Sequence, residues 1–469
     1  MREIKYKLTI SLMVSNRKDT VPKTLESLKP ILDNVSSELI VTDTGCDEDL
    51  LDIIRQYTDK IIKFTWCNDF SKARNVSIEA AKGEWYMYID DDEWFEDVTS
   101  IIDFFNSGES DRYNAIDYIQ RNYWDFDGSE WRDTPVGRTV RLTDTVKFVD
   151  AIHEHFSEFL EPIKMVGAYV HHYGYVYKTK EEHIKHARRN LDLLEKQMEE
   201  GNHCLRQYVH MLQEYNGLDL HEKAYEMAIQ GLEKANQNKE ENIRYLSGMK
   251  ANAVYSLYCM AKYDEAKELA EKYIREGQVN LVASCSIYLY LVYACYCIED
   301  IESASDYVRE YFSLRKSMQN KQREIVMDSI LIVEGAFKGN MPNTIFNIGL
   351  MCAVVKRDKQ LAELVMSHRE LIGQILPLND ITWLQELLEM MADSENKALY
   401  AETIVQYMDD LMCATKVCGK LLDYKEKDDN IFMELTKALI DTKSDNNHVK
   451  LLNTIYCGLK GNVDSLKKN

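Results

Sequence analysis

Four carboxylates in succession, Asp90, Asp91, Asp92 and Glu93, follow a run of strand-forming aromatics in the stretch WYMYIDDDEWF. Like charges this close repel, so the cluster needs either an offset or a use. A solvated turn would need no partner, but the preceding WYMYI has no polar alternation and reads as a buried strand. A helix cap would use one Asp, with Asp92 or Glu93 favouring the dipole ahead of FEDVTSIIDFF. A divalent cation would neutralise two or more of the acids and make the crowding favourable. The cap and the cation readings are compatible.

Other residues with chemistry to offer stand at comparable places. Ser15 and Asn16 follow the apolar run KLTISLMV. Asp43 follows SELIVT, where an acid can accept hydrogen bonds from a base or ribose, or form a turn before Thr44 and Gly45. In CNDFSKARN, Asp69 can cap a helix, and Arg74 can reach a diphosphate or pair with Asp69. Downstream, His153 and Glu154 of AIHEHF can form a proton-transfer pair, and His172 of VHHYGY can act as a neutral imidazole ligand. Ser157 breaks the HExxH spacing, which excludes the zinc-protease pattern.

These residues must be positioned by the elements between them. From the amino terminus to about residue 177 the chain alternates strand and helix signals: KLTISLMVS, VPKTLESLKPIL, SELIVTDTG, EDLLDIIRQYT, KIIKFTW, DFSKARNVSIEAAKG and EWYMYID. A βαβαβαβ rhythm calls for a parallel sheet covered on both faces, with ligands outside the carboxyl ends of the strands. The candidate polar residues fall at those ends. A later segment, residues 118–133, mixes Tyr123, Trp124, Phe126 and Trp131 with charges; it suits either sugar or peptide stacking, or a packed β-meander turning at Gly128.

Beyond residue 178 the pattern becomes purely helical. DLHEKAYEMAIQGLEKA, AKYDEAKELAEKYIREG and EDIESASDYVREYFSL share a short acidic turn followed by an alanine, Ala224, Ala266 or Ala304. Their spacing is loose against a tetratricopeptide period of about 34, yet small residues where paired helices cross suit a helical solenoid, with a generic helical bundle as the alternative. The expected division is therefore 1–177, 178–340 and 341–469.

The 469 residues carry 78 acidic against 57 basic side chains, a net charge of −21, which argues against nucleic acid as a partner. The 11 cysteines show no CxxC pairing, as expected of free thiols in a reducing cytoplasm. The apolar run at the amino terminus is too short for a signal core, and no segment reads as a membrane span. A cytoplasmic protein is expected.

Taken in order, ISLMVSNR, ELIVTDTGCDED, WCNDFSKARN, GEWYMYIDDDEWF, IHEHF and HHYGY resemble glycosyltransferase family 2, inverting enzymes of the GT-A fold that use nucleotide-diphosphate sugars. With the helical continuation to roughly residue 310, the chain looks like the subgroup with tetratricopeptide-like domains, which includes S-glycosyltransferases of bacteriocin peptides. The resemblance implies an α/β GT-A domain followed by an all-α tetratricopeptide-like helical solenoid. It also implies a UDP-sugar donor, Mg²⁺ or Mn²⁺ as cofactor, and a peptide or protein acceptor modified on Cys, Ser or Thr with a hexose or N-acetylhexosamine. A surface polysaccharide or lipid-linked acceptor, or a non-catalytic scaffold, are the alternatives. Carried over by position, Asp92 is the metal ligand of a DxD motif, with His172 completing the coordination. Asp90 supports the ribose or metal network, with Asp91 beside it. Asp43 contacts the base, Arg74 lines the donor pocket with Ser15 and Asp69 nearby, and Glu154 is the general base with His153 as competitor. One departure is Arg17, which stands where many relatives carry an acid. The long helical carboxyl-terminal region makes a homodimer an expectation as well.

Overall fold

The computed structural model describes residues 3–460 apart from 124, 130, 178, 239–241, 334, 338–340 and 373–380, and leaves aside the side chain at 323. Trp124 of the aromatic segment, and parts of the expected 178–340 and 341–469 regions, thus lie outside the described residues. The chain divides into two compact units, Met1–His203 and Cys204–Asn469.

The first unit opens with β1 (Tyr6–Val14), α1 (Val21–Asn34), β2 (Ser37–Asp43), α2 (Glu48–Ile54), β3 (Ile61–Lys63), α3 (Phe70–Ala80) and β4 (Gly83–Asp90). It continues through β5 (Glu93–Asp97), α4 (Thr99–Asn106), β6 (Ala115–Tyr123), β7 (Trp131–Arg141), the short pair β8 (Phe148–Val149) and β9 (His155–Phe156), β10 (Ile163–His172) and α5 (Lys180–Glu199). Eight strands form one sheet in the order β3-β2-β1-β4-β7-β6-β10-β5. The first four pair in parallel, as the βαβ rhythm requires. The sheet then turns mixed: β4–β7, β6–β7 and β10–β5 are antiparallel, and β6–β10 is parallel.

The lack of polar alternation in WYMYI now has a cause. Trp85, Met87 and Ile89 face the core built with α1 and α4, while Tyr86 and Tyr88 face Phe148 and Phe156 on the other side. A strand covered on both faces has no solvent side to mark with polar residues. Gly83 begins this strand because a Cβ there would stand 2.4 Å from the backbone nitrogen of Thr9.

One expectation changes. The stretch after Asp92 opens as a strand, β5, paired with β10, and the helix waits until Thr99. Glu93 therefore starts the edge strand of the sheet, itself at 0% exposure, and not a helix. The described residues of the 118–133 segment fit the meander reading: β6 pairs antiparallel with β7, and Gly128 stands in the left-handed region at φ 69°.

The second unit is helical throughout its described residues. α6 (Leu205–Gly217) packs on α7 (His221–Ala235), α8 (Ile243–Cys259) on α9 (Tyr263–Glu276), and α10 (Leu281–Cys297) on α11 (Ile301–Ser317), with α7–α8 and α9–α10 contacts joining the pairs. Ala224, Ala266 and Ala304 lie near the starts of α7, α9 and α11 and are fully buried, as close helix crossings demand. Further helices follow to Asn447–Leu459. Among the described residues no helix is long and apolar enough to cross a membrane.

Candidate active site

The central parallel strands end level with one another: Val14 sits beside Asp43, and Met13 beside Asp90. The β1–α1 loop, the β2–α2 turn and the β4–β5 acids thus share one edge of the sheet. Residues from the far half reach the same edge because His172, at the end of β10, is level with Glu93 on β5 and Asn122 on β6.

Asp90 is gripped by two guanidiniums. Arg74 Nη2 donates to its Oδ1, and Arg138 Nη1 to its Oδ2 at 2.7 Å. Arg74 Nε also donates to Glu154 Oε1 at 2.6 Å, tying the acid of AIHEHF to the strand end. Local packing delivers that acid. Asn75 exchanges hydrogen bonds with the backbone of Phe148 at 2.8 and 2.9 Å, and Phe70 N donates to Ala151 O at 2.8 Å, so α3 docks the 148–154 stretch. Both guanidiniums lie 4.5 Å from the centre of the Tyr88 ring. Arg138 Nη2 reaches Glu93 Oε1 at 2.9 Å, Gln120 Nε2 donates to the same oxygen, and Asp90 N donates to Glu93 Oε2 at 3.1 Å.

Charge in this network is divided unequally. Burial alone would raise the Asp90 pKa, but Arg74 and Arg138 outweigh it and hold the carboxyl well below its usual range. Glu93 shares only one guanidinium, so burial, with Asp90 nearby, pushes its pKa up. Burial works against the charge on Arg74, yet Asp90 and Glu154 raise its pKa further above the ordinary value. Arg74 Nη1 is buried without a hydrogen-bond partner among the described residues.

Asp91 and Asp92 belong to a second cluster around the β1–α1 loop. Ser15 donates to Asp91 Oδ2 through both its backbone N and its Oγ, each at 2.8 Å. Arg17 bridges the pair, with Nη1 on Asp92 Oδ2 and Nε 3.4 Å from Asp91 Oδ1. Burial, together with the neighbouring Asp92 charge, lifts the Asp91 pKa to about 6 despite Arg17 and Ser15. His172 Nε2 lies 3.9 Å from Asp92 Oδ1, while its Nδ1 donates to Asn122 Oδ1 at 2.7 Å. Gly174 backs onto this pair: a Cβ would come within 2.4 Å of His172 Nε2 and 3.1 Å of Asp92 Oδ2. On α5, burial and the adjacent Arg189 and Arg17 push the His186 pKa down to about 4, with Asp92 also within electrostatic reach.

Of the residues named from sequence, Arg74, Asp90 and Glu154 meet in the first cluster, and Ser15, Asp91, Asp92 and His172 in the second. Asp43 makes the turn: its Oδ1 accepts from Gly45 N at 2.9 Å and Cys46 N at 2.7 Å. Asp69 caps α3, accepting from Lys72 N at 2.9 Å and Ser71 Oγ at 2.7 Å. His153 takes a left-handed backbone, φ 53°, beside Glu154. Sequence reasoning missed Arg138, Gln120 and Asn122 as members of the cluster, and placed Glu93 at the start of a helix. A signal for Arg138 existed: an arginine inside a strand is costly to bury unless an acid meets it.

Among the described residues no three His, Cys, Asp or Glu side chains assemble into a metal cage. Two do fit as partial ligands. With Nδ1 engaged by Asn122, Nε2 is the His172 nitrogen that faces Asp92. Donors about 2.1 Å from one ion stand at most about 4.2 Å apart, and the Asp92–His172 gap falls within that. A cation held by so few protein donors takes its remaining oxygens from phosphate and water.

Residues 9–156 match the family model described as glycosyl transferase family 2. Over 206 residues the chain is 32% identical to the SPbeta prophage-derived glycosyltransferase SunS of Bacillus subtilis (strain 168), covering 41% of this chain and 45% of that protein. The chain thus spans less than half the length of that relative. Over 86 residues it is 35% identical to a TPR repeat-containing protein of Synechococcus elongatus, covering 18% of this chain and 20% of the other. Among solved structures, S. aureus TarS aligns with a TM-score of 0.30 and 13% identity, over 64% of this chain and 54% of that one. The stretch that matches the glycosyl transferase family 2 model lies within the mixed α/β sheet of the first unit, and a helical region follows it.

Proposed function

We propose that the glycosyl transferase family 2 domain at residues 9–156 belongs to a cytoplasmic, metal-dependent inverting enzyme. It moves a hexose or N-acetylhexosamine from a UDP-sugar to a Cys, Ser or Thr side chain of a peptide or protein. One observation carries the reading. Asp90, Asp92, Arg74, Glu154 and His172 come from four separate stretches of sequence and converge at the carboxyl edge of a family 2 sheet.

In this reading each residue has a physical task. Asp92 and His172 are the residues that would hold Mg²⁺ or Mn²⁺, whose charge, when bound, neutralises the departing diphosphate. Arg74, with one guanidinium nitrogen left over, supports the donor side of the pocket. Ser15 and Asp91 fix the first loop beneath the nucleotide, Asp43 shapes the turn that meets the base, and Asp69 sets the start of the helix carrying Arg74. Glu154, oriented by Arg74 through one carboxylate oxygen, takes the acceptor proton, with His153 as the competing base. The acceptor then attacks the anomeric carbon from the face opposite the leaving group, which inverts it. A polypeptide acceptor suits the helical region, since tandem helix pairs bind extended chains. Pairing of two copies through that region belongs to the same reading, and light scattering checks it.

The test is direct. Purified protein with Mn²⁺ should hydrolyse UDP-sugar slowly, and Asp92→Ala should lose that hydrolysis. Equal rates in the two proteins would remove Asp92 and the metal from the mechanism. Mass spectrometry of Cys-, Ser- and Thr-containing peptides incubated with several UDP-sugars then assigns the acceptor. Transfer to lipid-linked acceptors alone would overturn the peptide reading.

A further inference from the structure

Three arginines meet the acids of this site, and they are not equivalent. The side chains of Arg74 and Arg138 are only 4% and 12% exposed. Arg17 is 47% exposed, yet it holds both Asp91 and Asp92. Its backbone is fixed on either side. Ser15 is pinned to Asp91 Oδ2, and Thr20 Oγ1 donates to Asp91 O at 2.5 Å. Asn16, at φ 60°, exchanges hydrogen bonds with Asp47 at 3.0 and 3.1 Å. The half-exposed Arg17 side chain lines a cleft of about 490 Å³ with Asn16, Lys18, Asp19, Thr20 and Asp47.

The guanidinium sits where a cation would compete with it. Arg17 occupies Asp92 Oδ2 while His172 faces Oδ1 of the same carboxylate. A dication on Asp92 and a guanidinium on its other oxygen repel each other, so one weakens the other. A diphosphate changes that balance, because its anionic oxygens offer the planar guanidinium of Arg17 bidentate partners in the adjoining cleft. We propose that Arg17 is a displaceable counter-ion of the Asp91–Asp92 pair. A divalent cation and a nucleoside diphosphate replace it together, and the guanidinium passes from carboxylates to phosphates. The proposal rests on the donor-binding reading above and adds a consequence that reading does not require: the cation binds poorly until the nucleotide takes up Arg17.

Mn²⁺ binding to the full chain, read by loss of the free-ion electron paramagnetic resonance signal, tests this with and without UDP. In the wild type, UDP should tighten Mn²⁺ binding by about tenfold or more, within the usual range of coupling between sites. Arg17→Ala should bind Mn²⁺ alone about tenfold more tightly than wild type, with little further gain from UDP. Arg17→Lys should restore part of the coupling, and Asp92→Asn should abolish Mn²⁺ uptake in every background. Equal Mn²⁺ affinity of wild type and Arg17→Ala without UDP overturns the exchange while leaving donor binding intact. If even the wild type takes up no UDP, the donor-binding reading falls and the exchange falls with it.

Discussion

Replacing Arg138 by Met removes one guanidinium from the buried network while keeping a long apolar stem. The wild-type group makes contacts of 2.7 Å to Asp90 and 2.9 Å to Glu93. Asp90 would keep Arg74, but Glu93, fully buried, would be left with the amide of Gln120 and the backbone N of Asp90. Two such pairs at an effective dielectric near 20 are worth roughly 4 kcal/mol each before desolvation. Removing the guanidinium also returns the several kcal/mol spent on stripping its water. The balance agrees with the about 3–5 kcal/mol usually lost when one partner of a buried pair is deleted. For a unit of this size that is a fall in midpoint of about 6–20 °C. Tryptophan fluorescence during urea or thermal unfolding reads it selectively, since Trp66, Trp85, Trp94, Trp124 and Trp131 precede residue 204 and only Trp383 follows. Adding Glu93→Gln removes the orphaned charge and should recover about 1–3 kcal/mol. A loss below about 1 kcal/mol in Arg138→Met, or no recovery in the double variant, would refute the argument that Arg138 holds these acids together.

Two further perturbations probe other parts of the site. Gly174→Ala should leave the fold intact, because the atoms its Cβ would strike are the far ends of His172 and Asp92. It should nonetheless abolish the thermal stabilisation by UDP plus Mn²⁺, and full stabilisation would show that His172 is not needed there. His186 has a folded pKa of about 4, below its unfolded value of about 6.5. The unfolded chain therefore binds the proton first, and stability falls as pH drops from about 6.5 to about 4. The imidazole is partly exposed, so after discounting for solvent the effect is on the order of 1–2 kcal/mol. His186→Asn should flatten that part of the stability–pH curve, and an unchanged slope would exclude His186 as its source.

Much of the site was legible because its causes are local. Asp69 caps α3 and Asp43 closes a turn through backbone groups two or three residues away, so short sequence windows carry those signals. The four parallel strands are equally local, each written as an apolar run bounded by a helix. The acids after WYMYI stood out because a strand buried on both faces ended in charge.

What the sequence by itself determined was therefore the kinds of elements, the strand ends and the acids upon them. Only the tertiary structure decided which charges meet. Arg138 lies 48 residues from Asp90, Arg17 75 from Asp92, and Asn122 50 from His172. No local periodicity encodes such partners. The same holds for β5, where EWFED follows the acids and precedes a helix, so it reads as the start of that helix. Pairing with β10, more than seventy residues later, makes it a strand and buries Glu93. Backbone hydrogen bonds and desolvated charges take their partners from wherever the chain returns, and that return is a property of the packed sheet rather than of any short stretch of sequence.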